Sequence, residues 1–302
     1  MKKVQLWLLQ AVFFMAQMFP VRWMGALGAG LGRCLFYVLK RTRLITMANL
    51  TRIYPEKNRA WRIRMARASF AEAARTAFEL PHVFLRSKEF LLSRIDIDGE
   101  DELKQALDEG KGVFIVAAHH SNWELLGLAF SLLDYPIVTV YHPMRHAALN
   151  DYMIRCRTRF GGELQSRHDG LRWLPKSLKH NKLIGLMIDQ HMSTGIQVPF
   201  LGHMANTTAL PASYIQRKPT PVIAITLDRI GHDFRFKLRL QKVKMPALGD
   251  DKAVNTYHMM QTIGDTFAPI IHARPELWLW LHRRWYILEQ EEKIAKVVYG
   301  TP

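Results

Sequence analysis

The sequence GVFIVAAHHSNWELLGLAFSLL, residues 112–133, joins two apolar segments through a polar junction. Its first part, GVFIVAA, is a short continuous apolar run, as found in strands that are buried on both faces of a parallel sheet. Its second part, SNWELLGLAFSLL, is typical of a buried helix. Two histidines, a tryptophan and a glutamate therefore lie where a strand ends and a helix begins, which is where active sites collect in α/β sheets.

The same alternation of strand and helix continues on both sides of this stretch. Further strands are predicted for RIDIDG (94–99), PIVTVY (136–141), KLIGLMID (182–189), TPVIAITLDR (220–229) and FRFKLRLQKV (234–243). Helices are predicted for DELKQALDEG (101–110), HAALNDYMIRCRTRF (146–160), LRWLPKSLKH (171–180), TTALPASYIQRK (207–218) and residues 252–272, and an arginine-rich helix for 58–80. Strands that alternate with helices predict an α/β fold with a largely parallel central sheet flanked by helices.

The N-terminal region predicts a membrane anchor in residues 1–40, followed by one domain in residues 41–302. Residues 4–19 are apolar and end before Pro20, and a second apolar, glycine-rich run fills residues 23–39. A single membrane span is favoured over an in-plane amphipathic helix, and a buried core helix is the third alternative. No small-residue cleavage site follows, which argues against a removed signal peptide. The basic residues after the second run would hold the following side in the cytoplasm.

The charge balance indicates an anionic partner. Lys and Arg total 42 against 26 Asp and Glu, a formal net charge of +16. Nucleic acid, an anionic membrane surface and an acidic substrate are all compatible with this excess, but no recognisable nucleic-acid motif accompanies it. Cys34 and Cys156 lie far apart and form neither a metal-binding nor a CxxC pattern, so we expect reduced thiols in a cytosol-facing protein.

The polar junction can be interpreted in more than one way. His119 and Glu124 are five residues apart, and a loop-to-helix turn could let the carboxylate hold one imidazole nitrogen while the other takes a proton. Ser121, the serine of this motif, is interpreted as a helix cap, and a pair without a serine or cysteine nucleophile suggests direct attack by a substrate hydroxyl. Alternatively, Ser121 and Glu124 form a capping box, or His120 pairs with Glu124 on the helix face. A zinc site is disfavoured, because no HExxH motif or third ligand is present.

The motif HHSNWELLG resembles the H-x4-D/E motif of the lysophospholipid acyltransferase superfamily. More narrowly, it resembles the H-[FH]-x-N-W-E form of the lipid A biosynthesis (late) acyltransferase family, HtrB/MsbB type. Three further segments are similar to landmarks of that family and stand in the same order: RTRLITMANLTRIYPE (41–56), DQHMSTGIQVPFLGHMANTT (189–208) and PELWLWLHRRW (275–285). The resemblance covers nearly the whole chain, and it implies the glycerolipid/lysophospholipid acyltransferase-like fold.

The resemblance implies roles for individual residues. His119 matches the catalytic base and Glu124 the dyad carboxylate, while His120 stands where a Phe is commoner. The residues that match substrate-binding positions are Arg159, Asp189, Gln190, His282, Arg283 and Arg284. Arg159 is the expected oxyanion donor, with backbone N–H groups as the second choice. No metal or organic cofactor is implied.

The implied activity is that of a membrane-associated O-acyltransferase of the lauroyl- or myristoyltransferase type. It would move a fatty acyl chain from an acyl carrier protein thioester, or an acyl coenzyme A, to a hydroxyl or hydroxyacyl group of an anionic lipid A precursor. The protein would be a monomer at the bacterial inner membrane, with its catalytic domain on the cytoplasmic side and no nucleic-acid partner. The alternative acceptors are lysophosphatidate, a phosphatidylinositol mannoside, an aminolipid or an aryl polyene lipid. A non-catalytic basic binding protein is the alternative of another class.

Overall fold

A computed structural model describes residues 2–285 of the chain, with one large β-sheet at its centre. In chain order the strands are β1 (Ile95–Asp98), β2 (Val113–Ala117), β3 (Ile137–Tyr141), β4 (Glu163–Ser166), β5 (Leu183–Met187), β6 (Ile196–Phe200), β7 (His203–Thr207), β8 (Val222–Arg229) and β9 (Phe236–Lys242). The central sheet has the order β1-β9-β8-β2-β5-β3-β4, while β6 and β7 form a separate hairpin.

Helices cover the sheet and precede it in the chain. They are α1 (Lys2–Ala16), α2 (Val21–Val38), α3 (Lys40–Ile53), α4 (Arg59–Leu85), α5 (Lys88–Leu92), α6 (Glu100–Asp108), α7 (Trp123–Leu132), α8 (Ala147–Thr158), α9 (Trp173–Lys179), α10 (Leu210–Ile215), α11 (Lys252–Asp265) and α12 (Ala268–Ala273). A short 3-10 helix, Pro275–Leu277, follows them.

The strand pairing confirms a largely parallel sheet flanked by helices. Only the β8–β9 pair is antiparallel among the pairs of the central sheet. Strand β2 lies between β5 and β8, with Ala117 opposite Met187 on one side and Ile225 on the other. The chain segments that follow β2 and β5 therefore emerge side by side at the same edge of the sheet.

Both faces of the sheet are buried, which explains the continuous apolar sequence of β2. Phe114 and Val116 belong to one hydrophobic cluster, while Val113, Ile115 and Ala117 belong to another on the opposite face. Because successive side chains of a strand point to opposite faces, a strand covered on both sides needs apolar residues at every position.

The N-terminal region differs from the prediction of a spanning anchor. Pro20 separates two helices, and α1 has 15 residues, which corresponds to about 22 Å of helix against a hydrocarbon thickness of about 30 Å. Within residues 2–285, no helix combines the length and the hydrophobicity needed to cross a membrane. The spanning anchor is therefore not supported. Helix α2 packs closely on α4, since a Cβ atom added to Gly28 would lie 2.8 Å from the carbonyl oxygen of Ala74.

Three local features differ from the sequence prediction. The predicted helix over 252–272 is divided into α11 and α12, with Pro269 in the first turn of α12, where a proline needs no hydrogen-bond partner. Strand β4 was not predicted, because it has only four residues at the sheet edge and its sequence carries little periodic signal. The β6–β7 hairpin lies inside the family-like segment 189–208, which was not predicted to contain strands.

Candidate active site

Two polar residues meet at the carboxyl edge of the sheet because their strands are parallel neighbours. His119 follows β2 and Asp189 follows β5. The Nδ1 atom of His119 lies 2.8 Å from Oδ1 of Asp189, and the backbone N–H of His119 donates to Oδ2 at 2.7 Å. One carboxylate thus holds both the ring and the backbone of the histidine.

Asp189 is fully buried and accepts a third hydrogen bond. The indole Nε1–H of Trp278 donates to its Oδ2 atom over 2.8 Å. Burial alone would raise the pKa of Asp189, but the charge and the hydrogen bonds of His119 outweigh it and hold that pKa well below its usual range. Asp189 is therefore an ionised hydrogen-bond acceptor that fixes the ring orientation of His119. Asp189 was expected to bind substrate; the structure places it fully buried, in contact with His119 and Trp278.

The other ring nitrogen of His119 faces the more open side of the site. Its Nε2 atom lies 3.2 Å from the side-chain nitrogen of Gln190, which is exposed, and 12% of the His119 side chain is accessible. With Nδ1–H donated to a carboxylate, Nε2 of a neutral imidazole carries the lone pair. Gln190, which was expected to bind substrate, is therefore the exposed side chain beside this nitrogen.

Glu124 does not hold the imidazole of His119, contrary to the sequence prediction. Its carboxylate forms a bidentate ion pair with Arg157 of α8, with Nε–Oε2 at 2.9 Å and Nη2–Oε1 at 2.7 Å. Burial would lower the pKa of Arg157, but its hydrogen bonds and charge interaction with Glu124 raise that pKa. Asp189 and Glu124 therefore have separate partners, His119 for Asp189 and Arg157 for Glu124.

The turn between β2 and α7 is formed by Ser121 and Asn122. Ser121 has a φ of 54°, a left-handed conformation that costs a non-glycine residue about 1–3 kcal/mol. Asn122 is the helix cap, since its side-chain oxygen accepts from the backbone N–H of Leu125 at 3.1 Å. The capping box is also wrong, because the N–H of Ser121 donates to the carbonyl of Leu277 at 2.7 Å instead of to Glu124.

His120 does not pair with Glu124, whose carboxylate is held by Arg157. Its side chain is fully buried, and its Nδ1 atom is 3.2 Å from Oδ1 of Asp228 on β8. The backbone of His120 also pairs with that of Trp278 as an isolated bridge. His120 therefore packs inside the fold and His119 is the histidine that faces the site.

The closing segment, residues 275–285, wraps around the end of β5. His282 lies with its Nε2 atom 2.9 Å from the carbonyl oxygen of Asp189, and burial lowers the pKa of its ring. Arg284 was expected to contact substrate but is fully buried, with Nη1 donating to the carbonyls of Gln190 and Asn206 at 3.0 and 2.7 Å. Arg284 therefore links the segment that carries Gln190 to strand β7, which carries Asn206. Arg283 beside it is half-buried.

Arg157, the partner of Glu124, was not among the predicted site residues. Arg159 lies just past the end of α8, exposed, with its guanidinium carbon 4.3 Å from the centre of the Phe160 ring. The sequence RTR contains both arginines, and helical periodicity alone does not say which one points toward α7. Trp278 was also missed as a partner of Asp189, since 89 residues separate the two in sequence.

Comparisons with known proteins agree on one reaction class. A family model described as bacterial lipid A biosynthesis acyltransferase matches residues 1–286. A lipid A biosynthesis acyltransferase of Haemophilus influenzae is 23% identical over 264 residues, which are 87% of this chain and 81% of the relative. A phosphatidylinositol mannoside acyltransferase of Mycolicibacterium smegmatis is 26% identical over 240 residues, 78% and 76% of the two chains. A lipid A biosynthesis palmitoleoyltransferase of Escherichia coli is 23% identical over 262 residues, which are 85% of this chain and 83% of the relative.

Proposed function

This chain belongs to the bacterial lipid A biosynthesis acyltransferase family and is an acyltransferase, and from that premise we propose that it esterifies a hydroxyl or hydroxyacyl group of a lipid A precursor. The donor is an acyl thioester, with acyl carrier protein preferred over coenzyme A. The observation that carries the proposal is the orientation of His119, whose Nδ1 is held by Asp189 while Nε2 lies beside exposed Gln190.

The first step is proton transfer from the acceptor hydroxyl to Nε2 of His119 as the oxygen attacks the thioester carbonyl. Asp189 stabilises the imidazolium that forms, because its carboxylate accepts the Nδ1–H. The resulting tetrahedral intermediate then collapses, the carbon–sulfur bond breaks, and the leaving thiolate takes the proton from His119. The ester is complete and the base is restored, with no covalent enzyme intermediate. Ser121 supports this direct route, since its hydroxyl is buried and donates to Glu72.

The negative charge on the tetrahedral oxygen requires a donor, and the arginines at the end of α8 are the candidates. Glu124 fixes Arg157 in a bidentate pair, whereas Arg159 presents an exposed guanidinium. We assign the oxyanion contact to Arg159 and give Glu124 and Arg157 the role of anchoring α8 beside α7. In this proposal the glutamate of the H-x4-E motif has an anchoring role and does not contact the base. His282 and Arg283 remain proposed contacts of the acceptor.

The exposed face of the N-terminal helices supports contact with a membrane surface. Trp23, Leu27 and Leu31 recur at the helical spacing of four residues on α2 and are 59%, 60% and 43% exposed. Trp7 and Leu8 on α1 are 73% and 61% exposed. Together with the basic residues of the chain, these side chains suit an in-plane contact with an anionic bilayer, as expected at the cytoplasmic face of a bacterial inner membrane.

A second acceptor class has a specific observation in its favour. The Mycolicibacterium smegmatis relative, which is 26% identical, is named as an acyltransferase of a phosphatidylinositol mannoside. The sequence identity of this chain to the two lipid A enzymes is 23%, which is no higher than its identity to this relative. A mannoside with a free hydroxyl is therefore the alternative acceptor.

The deciding experiment measures acyl transfer in detergent micelles. Carrier-protein and coenzyme A thioesters of several chain lengths are offered with either a lipid A precursor or a phosphatidylinositol mannoside. We expect transfer to the lipid A precursor that falls roughly 10²–10⁴-fold in His119→Gln. His120→Phe is the matched control, because it alters the neighbouring buried histidine and leaves the base in place. Transfer to the mannoside alone would favour the second acceptor, and transfer that survives His119→Gln would contradict the mechanism.

A further inference from the structure

A buried cluster of charged side chains lies beneath the loop formed by residues 119–122. Glu72 and Glu79 extend from α4, and Arg229 at the end of β8 lies between them. Its Nε atom is 2.7 Å from Oε1 of Glu72, and its Nη1 and Nη2 atoms are each 2.8 Å from an oxygen of Glu79. Glu79 and Arg229 are both 1% exposed. Arg75, 3.7 Å from Glu72, adds a second positive charge.

The same carboxylates also bind the 119–122 loop. Glu79 accepts a hydrogen bond from the side-chain nitrogen of Asn122 at 2.8 Å, and Glu72 accepts one from the hydroxyl of Ser121 at 3.2 Å. The hydroxyl of Thr76, on the same helix, donates to the carbonyl of Ser121 at 3.3 Å. Helix α4 therefore contacts both residues that separate His119 and His120 from α7.

Stability alone does not account for this arrangement. Replacing a buried ion cluster by apolar side chains of similar volume is often neutral or stabilising, because desolvation offsets the attraction between the charges. Bidentate pairs between guanidinium and carboxylate are, however, directional and hold their groups in one geometry. The left-handed conformation of Ser121 is a strained one, and such a conformation persists only where surrounding contacts over-determine it.

We propose that Glu72, Glu79 and Arg229 are positioning residues, which hold Ser121 and Asn122 so that His119 meets Asp189 and the acceptor in the reactive geometry. This inference rests on the proposed role of His119 as the base. None of the three residues touches the reacting atoms. Their effect passes through the backbone of the loop and through Asn122, which connects Glu79 to the first turn of α7.

Helix α2 provides a test that leaves every charged group chemically unchanged. A Cβ atom added to Gly25 would lie 2.9 Å from Oε1 of Glu79 and 3.4 Å from Cγ of Arg75, so Gly25→Ala forces this carboxylate or the packing of α2 against it to shift. A Cβ atom added to Gly30, on the same helix, would meet nothing within 4 Å. Gly30→Ala is therefore the matched control for the same chemical change.

A second variant breaks the contact from the loop side. Asn122→Ser keeps an oxygen that can cap α7, because serine is among the preferred capping residues, but its side chain is too short to reach Glu79. Since a displacement of about 1 Å can cost about 10²-fold in rate, we expect kcat of Gly25→Ala and Asn122→Ser to fall between tenfold and a hundredfold. The KM for the acyl thioester should change by less than about threefold, because the proposal affects alignment and not donor binding. Gly30→Ala should behave as the wild type.

A readout independent of turnover separates this proposal from the proposed function. In protein labelled at the Cε1 position of histidine, the His119 resonance is identified by its loss in His119→Gln. We expect it to move in Gly25→Ala and Asn122→Ser and to stay in place in Gly30→Ala. Unchanged kcat and an unchanged resonance in both variants would overturn the proposal. It would also be overturned if the variants lose activity only to the extent that their melting temperature falls. If the resonance moves but the wild type acylates no acceptor, the positioning role stands and the proposed reaction fails.

Discussion

The Nδ1 atom of His119 lies 2.8 Å from Oδ1 of Asp189, although 70 residues separate the two in the chain. The second oxygen of the same carboxylate accepts the backbone N–H of His119 and the indole N–H of Trp278. The orientation of the base therefore depends on the neighbouring strand of the sheet and not on the first turn of the helix that follows it.

The first prediction concerns the identity of the residue that orients His119. Asp189→Asn should lower kcat by roughly 10²–10⁴-fold, because an amide can impose the wrong imidazole tautomer and does not stabilise the imidazolium. Steady-state transfer assays over a range of pH will measure the loss. Asp189→Glu restores the charge, and we expect it to recover part of kcat. Full activity in Asp189→Asn would show that this carboxylate is not required to orient the base.

The second prediction concerns Glu124 and Arg157. Because the two form one bidentate pair, Glu124→Gln and Arg157→Gln should lower kcat to a similar extent, and the double variant should be little worse than either. A double-mutant cycle on kcat measures this coupling. If Glu124 instead acts directly on His119, its variant will remain damaging in the Arg157→Gln background, and the two effects will add.

The third prediction concerns acid pH. The pKa of Asp189 lies below its usual value in the folded protein, so its ionised form stabilises the fold above the unfolded-state pKa of about 3.9. That contribution is lost as the pH falls from this value through the folded-state pKa. The difference in unfolding free energy between the wild type and Asp189→Asn should shrink as the pH falls from about 5 toward 3. Urea titrations at several pH values measure it, and a difference that grows on acidification would contradict the assignment.

The fourth prediction concerns the exposed face of α2. Burying a side chain such as Leu in an apolar phase contributes about 1.5–3 kcal/mol, so Trp23→Ser with Leu27→Ser should weaken binding to anionic vesicles by at least tenfold. Cosedimentation with vesicles of phosphatidylglycerol and phosphatidylethanolamine measures the change. Val254→Ser on α11 is the control, since Val254 is 49% exposed and lies on another helix. Equal binding by both variants would exclude α2 as the contact surface.

Much of the fold was predictable from local sequence. The continuous apolar run of β2 predicts a strand buried on both faces, and the alternation of such runs with helices predicts a parallel sheet. These patterns also place His119 at a strand end, where its role could be inferred. The hairpin β6–β7 and the end of α11 escaped prediction, because short edge elements and helix breaks depend on a few residues and carry little periodicity.

The fold class, the family and the choice of His119 as the candidate base all followed from the amino-acid sequence, because short-range patterns and ordered motifs carry them. The partners of His119 follow from the tertiary structure and not from its neighbours in the chain. Glu124 is five residues from His119 but pairs with Arg157, whereas Asp189 reaches His119 through the parallel register of β2 and β5. The burial of Arg229 between Glu72 and Glu79 depends likewise on how β8 packs against α4. Contacts between distant segments follow from strand register and helix packing, and no spacing along the chain encodes them directly.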